Sequence, residues 1–235
     1  MNNVGLTPKE YLLEVLKNEE DMFREITRLD GKEKAEYEEL LEQLEEVHKR
    51  ENQQHYDTHQ KGKALETIVS FLLGKSVIFE IHENIRNSTN EIDQLLCLSY
   101  KGKKFKDFLP FSGDLFLSEC KNYNKKIDVT WVGKFFSLLT TSHTKIGFLF
   151  SYYGLTGKKW NNAVGLTKKL FLLKERLEDR TYIIDLNISD FRLIQQGHSL
   201  LELIDSKMKG LKTDTSFEVF LQLKHPVLEE REKTN

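Results

Sequence analysis

The order of apolar patterns along the chain limits its fold more than any other feature. From residue 61 to 208 the runs follow as helix, three strands, helix, strand, helix, strand, helix. Residues 63–73 space Leu65, Ile68, Val69, Leu72 and Leu73 at helical intervals and stop at Gly74. Residues 76–81, 91–99 and 114–121 read as strands, with Gly102, Pro110 and Gly113 supplying turn chemistry before the third. Residues 129–141 predict a helix and 146–152 a strongly apolar strand. Residues 158–178 predict a helix, 182–186 a strand and 189–208 a final helix. Alternation of this kind predicts an α/β domain with a central mixed β-sheet flanked by helices.

The N-terminal quarter has a different character. Thr7 and Pro8 open a helix expected over 8–29, with Leu12, Val15, Leu16, Met22, Phe23, Ile26 and Leu29 on its apolar face. Asp30-Gly31 breaks it, and a second helix over about 32–54 carries Tyr37, Leu40, Leu41, Leu44 and Val47 on one narrow stripe. Such stripes are too thin for an independent core. They predict an acidic helical hairpin or coiled-coil arm over 1–58, packed on itself, on the main domain or on a partner. The main domain is expected over 61–210, and 211–235 as a C-terminal extension ending in a charged run.

Charge divides along the same line. Residues 1–60 hold 8 basic and 16 acidic side chains, whereas 121–180 hold 12 basic and 4 acidic, inside a chain whose net charge is −2. A locally basic stretch is the electrostatic footprint of a polyanion partner, or else a solubilising face. The chain is 39% apolar and 11% aromatic, too rich in core-forming residues for a disordered protein. No apolar run approaches the 18 or so residues of a membrane span, and the first residues lack a basic-then-apolar leader. The two cysteines, Cys97 and Cys120, form no disulfide framework. A cytoplasmic protein is the expectation.

Two of the strands carry charge, which needs a reason because an unpaired charge inside a core is expensive. By the period of two, Asp93, Leu95, Cys97 and Ser99 share one face of the second strand, and Leu115, Leu117, Glu119 and Lys121 one face of the third. If these strands pair antiparallel, Asp93 and Glu119 converge at one edge with Lys121 beside them. Two neighbouring carboxylates repel unless a cation lies between them, and hard oxygen ligands suit Mg²⁺. A Glu-x-Lys triplet alone carries no weight, and an edge-strand Glu–Lys pair facing water is the plain alternative.

Taken together, Glu91-Ile92-Asp93 and Phe116-Leu117-Ser118-Glu119-Cys120-Lys121 resemble the Asp…Glu-x-Lys core of PD-(D/E)xK nucleases, most closely the restriction endonuclease-like, Mrr-type catalytic domain. Gly62 and Glu66 match the Gly and Glu of that family's leading helix. The helix 129–141 and the runs Ile146-Gly147-Phe148-Leu149-Phe150-Ser151 and Tyr182-Ile183-Ile184-Asp185-Leu186 fall where that fold expects them. The likeness covers about residues 61–206 and not the acidic arm. It departs in one respect, since Asp93 is not preceded by Pro.

The resemblance implies Mg²⁺-dependent hydrolysis of DNA, with Mn²⁺ as a substitute metal, in a restriction or anti-phage defence setting. Asp93, Glu119 and the Cys120 carbonyl would hold the metal, Lys121 would orient the attacking water, and Glu66 would bind a second metal through water or steady the first. The basic excess would contact phosphates through Lys125, Lys126, Lys134, Lys158 and Lys159, with Lys145, Lys168 and Lys169 nearby. Trp131 and Trp160 are candidates for base stacking or core packing. The Cys120 thiol is expected on the opposite face from Glu119, without a nucleophilic role. His55 and His59 lack a third ligand at useful spacing. Competing functions are a catalytically silent nucleic-acid-binding or scaffolding module on the same fold, and a nuclease subunit activated by a partner or a homodimer through the arm.

Overall fold

The computed structural model describes residues 7–12, 23, 25–49, 58–86 and 91–221. Helix α1 (Gly31–Lys49) and helix α2 (Thr58–Lys75) precede the sheet. Strand β1 (Phe79–Arg86), strand β2 (Glu91–Leu98), the short helix α3 (Tyr100–Lys104) and strand β3 (Leu115–Lys121) follow. Helix α4 (Val129–Thr141), strand β4 (Ile146–Ser151), helix α5 (Asn162–Phe171) and strand β5 (Tyr182–Leu186) complete the alternation. Helix α6 (Ile188–Gln195) and helix α7 (Leu200–Thr213) end it.

The sheet keeps the order of the chain, β1-β2-β3-β4-β5, so each strand lies beside the strand before it. The first two pairings are antiparallel and the last two parallel. Parallel neighbours need a crossover, and α4 and α5 supply the two. Both crossovers lie over one face, where Val132, Phe135, Leu139 and Ala163 pack on Leu117, Leu149 and Ile183. On the other face α1, α2, α6 and α7 bury Tyr37, Leu44, Ile68, Phe191 and Ile204 against Phe116, Phe148, Phe150 and Leu186. With helices on both faces, β4 is buried at every residue and reads as a continuous apolar run. The result is an α/β architecture with a five-stranded mixed sheet between helical layers. Among the described residues no helix is long and apolar enough to cross a membrane.

The described part of the acidic N-terminal segment lies against the main domain. Tyr37 is fully buried and its hydroxyl donates to the Phe191 carbonyl at 2.7 Å. Leu41 and Leu44 join the same core, and Arg192 of α6 reaches Glu45 at 2.8 Å. Earlier in the chain, Phe23 stacks with Phe108 and Arg28 pairs with Glu202 at 2.8 Å. Half of the helix expected over 8–29 and the stretch 50–57 lie outside the described residues, as do 222–235.

Several expected elements are corrected. The first strand runs over Phe79–Arg86 rather than 76–81, because Val77 turns the chain in the left-handed region (φ 62°). The helix expected over 158–178 shrinks to Asn162–Phe171. Ahead of it Gly157 and Lys159 have positive φ, and after it the chain makes turns and a short 3-10 segment at Leu177–Asp179. The single helix expected over 189–208 is two, broken at Gly197 (φ 107°) and restarted by Ser199, which forms a capping box with Glu202. A turn expected near Gly102 holds α3, capped by Ser99, with Gly102 lying so close to the Ile78 carbonyl that a Cβ would stand 2.4 Å from it.

Candidate nucleic-acid interface and carboxylate–lysine site

The site forms where two strands separate. The β2–β3 ladder ends at the pair Gln94–Ser118, while β2 continues alongside β1 to Glu91. Past that pair no β2 residue is registered opposite Cys120, and its amide donates to Asp93 Oδ2 at 3.3 Å. The N–H and C=O of one strand residue leave on the same side, so the Cys120 carbonyl is directed to the side on which Asp93 sits. The antiparallel register that was the condition for convergence is present, and Asp93 comes beside Glu119.

Lys121 joins the two carboxylates. Its Nζ lies 2.6 Å from Glu119 Oε1 and 3.2 Å from Asp93 Oδ2. The side chains are 17% (Lys121), 13% (Glu119) and 36% (Asp93) exposed, so the cluster is half inside the protein. Burial raises the Glu119 carboxyl above its ordinary value; Lys121 opposes that rise and Asp93 adds to it. Burial opposes the charge of Lys121, but Glu119 and Asp93 outweigh it and hold the ammonium above its usual value. One cation therefore serves two carboxylates, and the group as a whole remains short of positive charge.

Elements on both faces bring further groups. On the α4 side, Glu119 shares a cavity of about 310 Å³ with Trp131, Lys134, Phe135, Ser137 and Leu149. On the α2 side, Asp93 shares a cavity of about 370 Å³ with Glu66, Lys63, Glu83 and Cys120. Glu66, an exposed residue of α2, is thus brought to the same end of the sheet, across it from Glu119. Cys120 packs toward the α2 face as its strand position requires. Burial pushes its thiol well up, and Asp93, Glu66 and Glu119 add to the effect, so it stays protonated.

The donor set fits a hard divalent cation. Two carboxylates short of positive charge and one carbonyl directed to their side are oxygen ligands of the kind Mg²⁺ takes together with water. Among the described residues no group of three His, Cys, Asp or Glu side chains is placed to hold a metal ion, so Glu66 does not complete a trio with Asp93 and Glu119. His59 is exposed on α2 and His55 lies outside the described residues.

The basic residues divide in two. An isolated parallel bridge, Ile127–Leu155, ties the loop after β3 to the loop after β4, through Ile127 N–H to the Gly154 carbonyl at 2.9 Å and Thr156 N–H to the Ile127 carbonyl at 2.8 Å. Exposed Lys125, Lys126, Lys158 and Lys159 consequently share the end of the sheet from which Glu119 and Lys121 emerge, and exposed Lys134 stands on α4. Lys145 and Lys168 are otherwise engaged, with Asp179 at 3.1 Å and with Asp214. Trp160 also leans on that pair, donating to Asp214 Oδ2 at 3.3 Å.

Three features were not read in the sequence. Tyr123 is half-buried beside Trp131, with ring centroids 5.6 Å apart. A polar ladder crosses the sheet beneath Asp93: Ser118 Oγ donates to Gln94 Oε1 (2.8 Å), Gln94 Nε2 to Ser70 Oγ (2.9 Å), and Ser70 Oγ to Glu83 Oε1 (2.9 Å). Lys61, 1% exposed, reaches Asn124 through its ammonium and accepts from Asn122 Nδ2 (2.6 Å) through its carbonyl. Asn122 also meets His48 Nε2 at 2.7 Å, and His48 stacks on Tyr152 at 3.5 Å. For Lys61 and its partners the local signal is the pair Asn122 and Asn124 directly after the apolar strand. No family model matches the chain, and no curated protein or solved structure is similar to it.

Proposed function

We propose that the chain is a metal-dependent endonuclease that hydrolyses phosphodiester bonds in DNA. The observation that carries this reading is the Asp93–Lys121–Glu119 cluster at the separated ends of β2 and β3, with Lys125, Lys126, Lys158 and Lys159 on the same end. A carboxylate pair that is short of positive charge, beside cations free to meet phosphates, suits a reaction in which a metal and a polyanion arrive together. The chain order helix, three antiparallel strands, helix, parallel strand also agrees with the PD-(D/E)xK resemblance, and a restriction or anti-phage role is the setting that resemblance implies.

In this mechanism Asp93, Glu119 and the Cys120 carbonyl would hold Mg²⁺. The metal, when bound, supplies Lewis acidity toward a phosphoryl oxygen and makes a water more acidic. Lys121, released from one of its carboxylates, directs N–H groups at the water and at the charge that grows on the phosphate, which is the larger part of phosphoryl-transfer catalysis. Glu66 orients a water from the α2 side. The loop lysines set the backbone in register without reading bases.

The experiment is incubation with supercoiled plasmid in Mg²⁺, beside EDTA and a Glu119→Ala control. Nicking or linearisation is expected for wild type with metal, and is expected to fall at least about a hundredfold in Glu119→Ala and Lys121→Ala, an effect on the scale of one lost charge-stabilising group. Retarded DNA without cutting would replace this reading with that of a binding module.

A further inference from the structure

The cavity beside Glu119 has an aromatic wall whose position is fixed by the start of α4. The Asp128 carboxylate caps that helix, accepting from Thr130 N–H at 3.0 Å and from Trp131 N–H at 3.3 Å. This holds Trp131 in the first turn, half-buried and at the rim of the cavity it shares with Glu119. Two ammonium groups approach its ring, Lys134 Nζ at 4.5 Å from the centroid and Lys121 Nζ at 5.3 Å. Tyr123 lies against it at a 40° tilt. Trp131 packs in part on the core under α4, and the remainder of its ring borders the carboxylate–lysine cluster with an exposed lysine over it. Lys134 is exposed and its stem is flexible, so it can move to a phosphate and uncover the indole, while Lys121 keeps at least one of its carboxylates and stays at the strand ends.

An indole, a neighbouring phenol and a mobile cation are the parts used to bind single-stranded nucleic acid, where bases stack on aromatic faces and cations follow the backbone. A cavity of about 310 Å³ lies at the small end of ligand pockets, roughly 300–1,000 Å³, and takes one unpaired ring system rather than a base pair. We propose that Trp131 is a stacking platform for an unpaired base next to the phosphate that Lys121 meets beside Glu119, which makes the substrate single-stranded DNA, or an unpaired segment within a duplex. The inference deepens the nuclease reading and rests on it for the position of the scissile phosphate. Base stacking itself can be measured without cleavage.

The test is fluorescence anisotropy of a labelled 15-nucleotide strand and of its duplex, titrated with the full chain in EDTA. Wild type should bind the single strand at least tenfold more tightly. Trp131→Ala should weaken single-strand binding about tenfold, the scale of one base–aromatic stack, and leave duplex binding unchanged, while Trp131→Phe should retain most of it. Equal affinity for strand and duplex, or equal weakening of both by Trp131→Ala, would overturn the platform. A parallel digestion in Mg²⁺ separates the two ideas. Trp131-dependent strand binding with no cleavage would sink the nuclease and keep the platform. Cleavage that prefers intact duplex would keep the nuclease and sink the platform.

Discussion

Replacing Lys121 with Met removes the one cation between two carboxylates while keeping a stem of similar length. At an effective dielectric constant near 20, contacts of 2.6 and 3.2 Å are gross attractions of about 5–6 kcal/mol each. Much of that offsets the desolvation of the three groups. Breaking a fully buried pair by removing one partner costs about 3–5 kcal/mol, and the 36% exposure of Asp93 places the expected loss near the lower end, about 3 kcal/mol. The loss has a pH signature. Burial and Asp93 already raise Glu119, and without Lys121 its folded-state pKa rises further above the unfolded one. A carboxyl shifted that way lends stability at low pH and costs it as pH rises through the folded value. The deficit should therefore be about 3 kcal/mol at pH 8 and clearly smaller near pH 5. Urea titrations at the two pH values read this as a midpoint change at constant slope, and Glu119→Gln/Lys121→Met should recover much of the loss. A deficit independent of pH, or a double variant as weak as Lys121→Met, would refute the reasoning.

Two further outcomes follow from the packing. Tyr37→Phe removes the buried hydroxyl that donates to the Phe191 carbonyl, so stability should fall by about 0.5–1.5 kcal/mol; a loss under about 0.3 kcal/mol in thermal or urea unfolding would show that α1 is not held there. Burial opposes the charge of Glu202, yet His198, the Ser199 amide and Arg28 outweigh it and hold its carboxyl down to about 2. A depressed carboxyl stabilises the fold above its unfolded pKa and loses that contribution as pH falls toward the folded value. Glu202→Gln should thus cost about 2–3 kcal/mol at pH 7 and progressively less between about pH 4.5 and 2, and a cost that is constant down to pH 3 would contradict the pairing.

What the sequence made legible depended on the range of the signal. Residues 129–141 and 182–186 were read to their ends because apolar period and flanking breaks agree there. Asp93, Glu119 and Lys121 were legible because a period of two fixes each face and only the register remained to be supplied. The extent of β1 is hard to read because it is an edge strand whose exposed His82 and Glu83 interrupt the apolar run. The break at Gly197 was hidden by apolar residues on both sides that keep a helical rhythm. Tyr123 and the ladder from Ser118 to Glu83 had no local sign, since its members are 24 and 13 residues apart and each alone is an ordinary polar residue. The acidic segment left three placements open. Its stripe of Tyr37, Leu41 and Leu44 is narrow because it completes a core made by other elements.

Because the strands lie in the order in which they are synthesised, each can pair with its neighbour as soon as it leaves the ribosome, and none has to wait for a later one to be inserted between existing strands. α1 is the exception. Its seat includes Phe191, which is 154 residues downstream of Tyr37, so the first described long helix to be made is among the last to reach its full set of contacts. During most of translation its apolar stripe has no complete partner, and the glutamates around that stripe keep it in solution until the sheet is closed over.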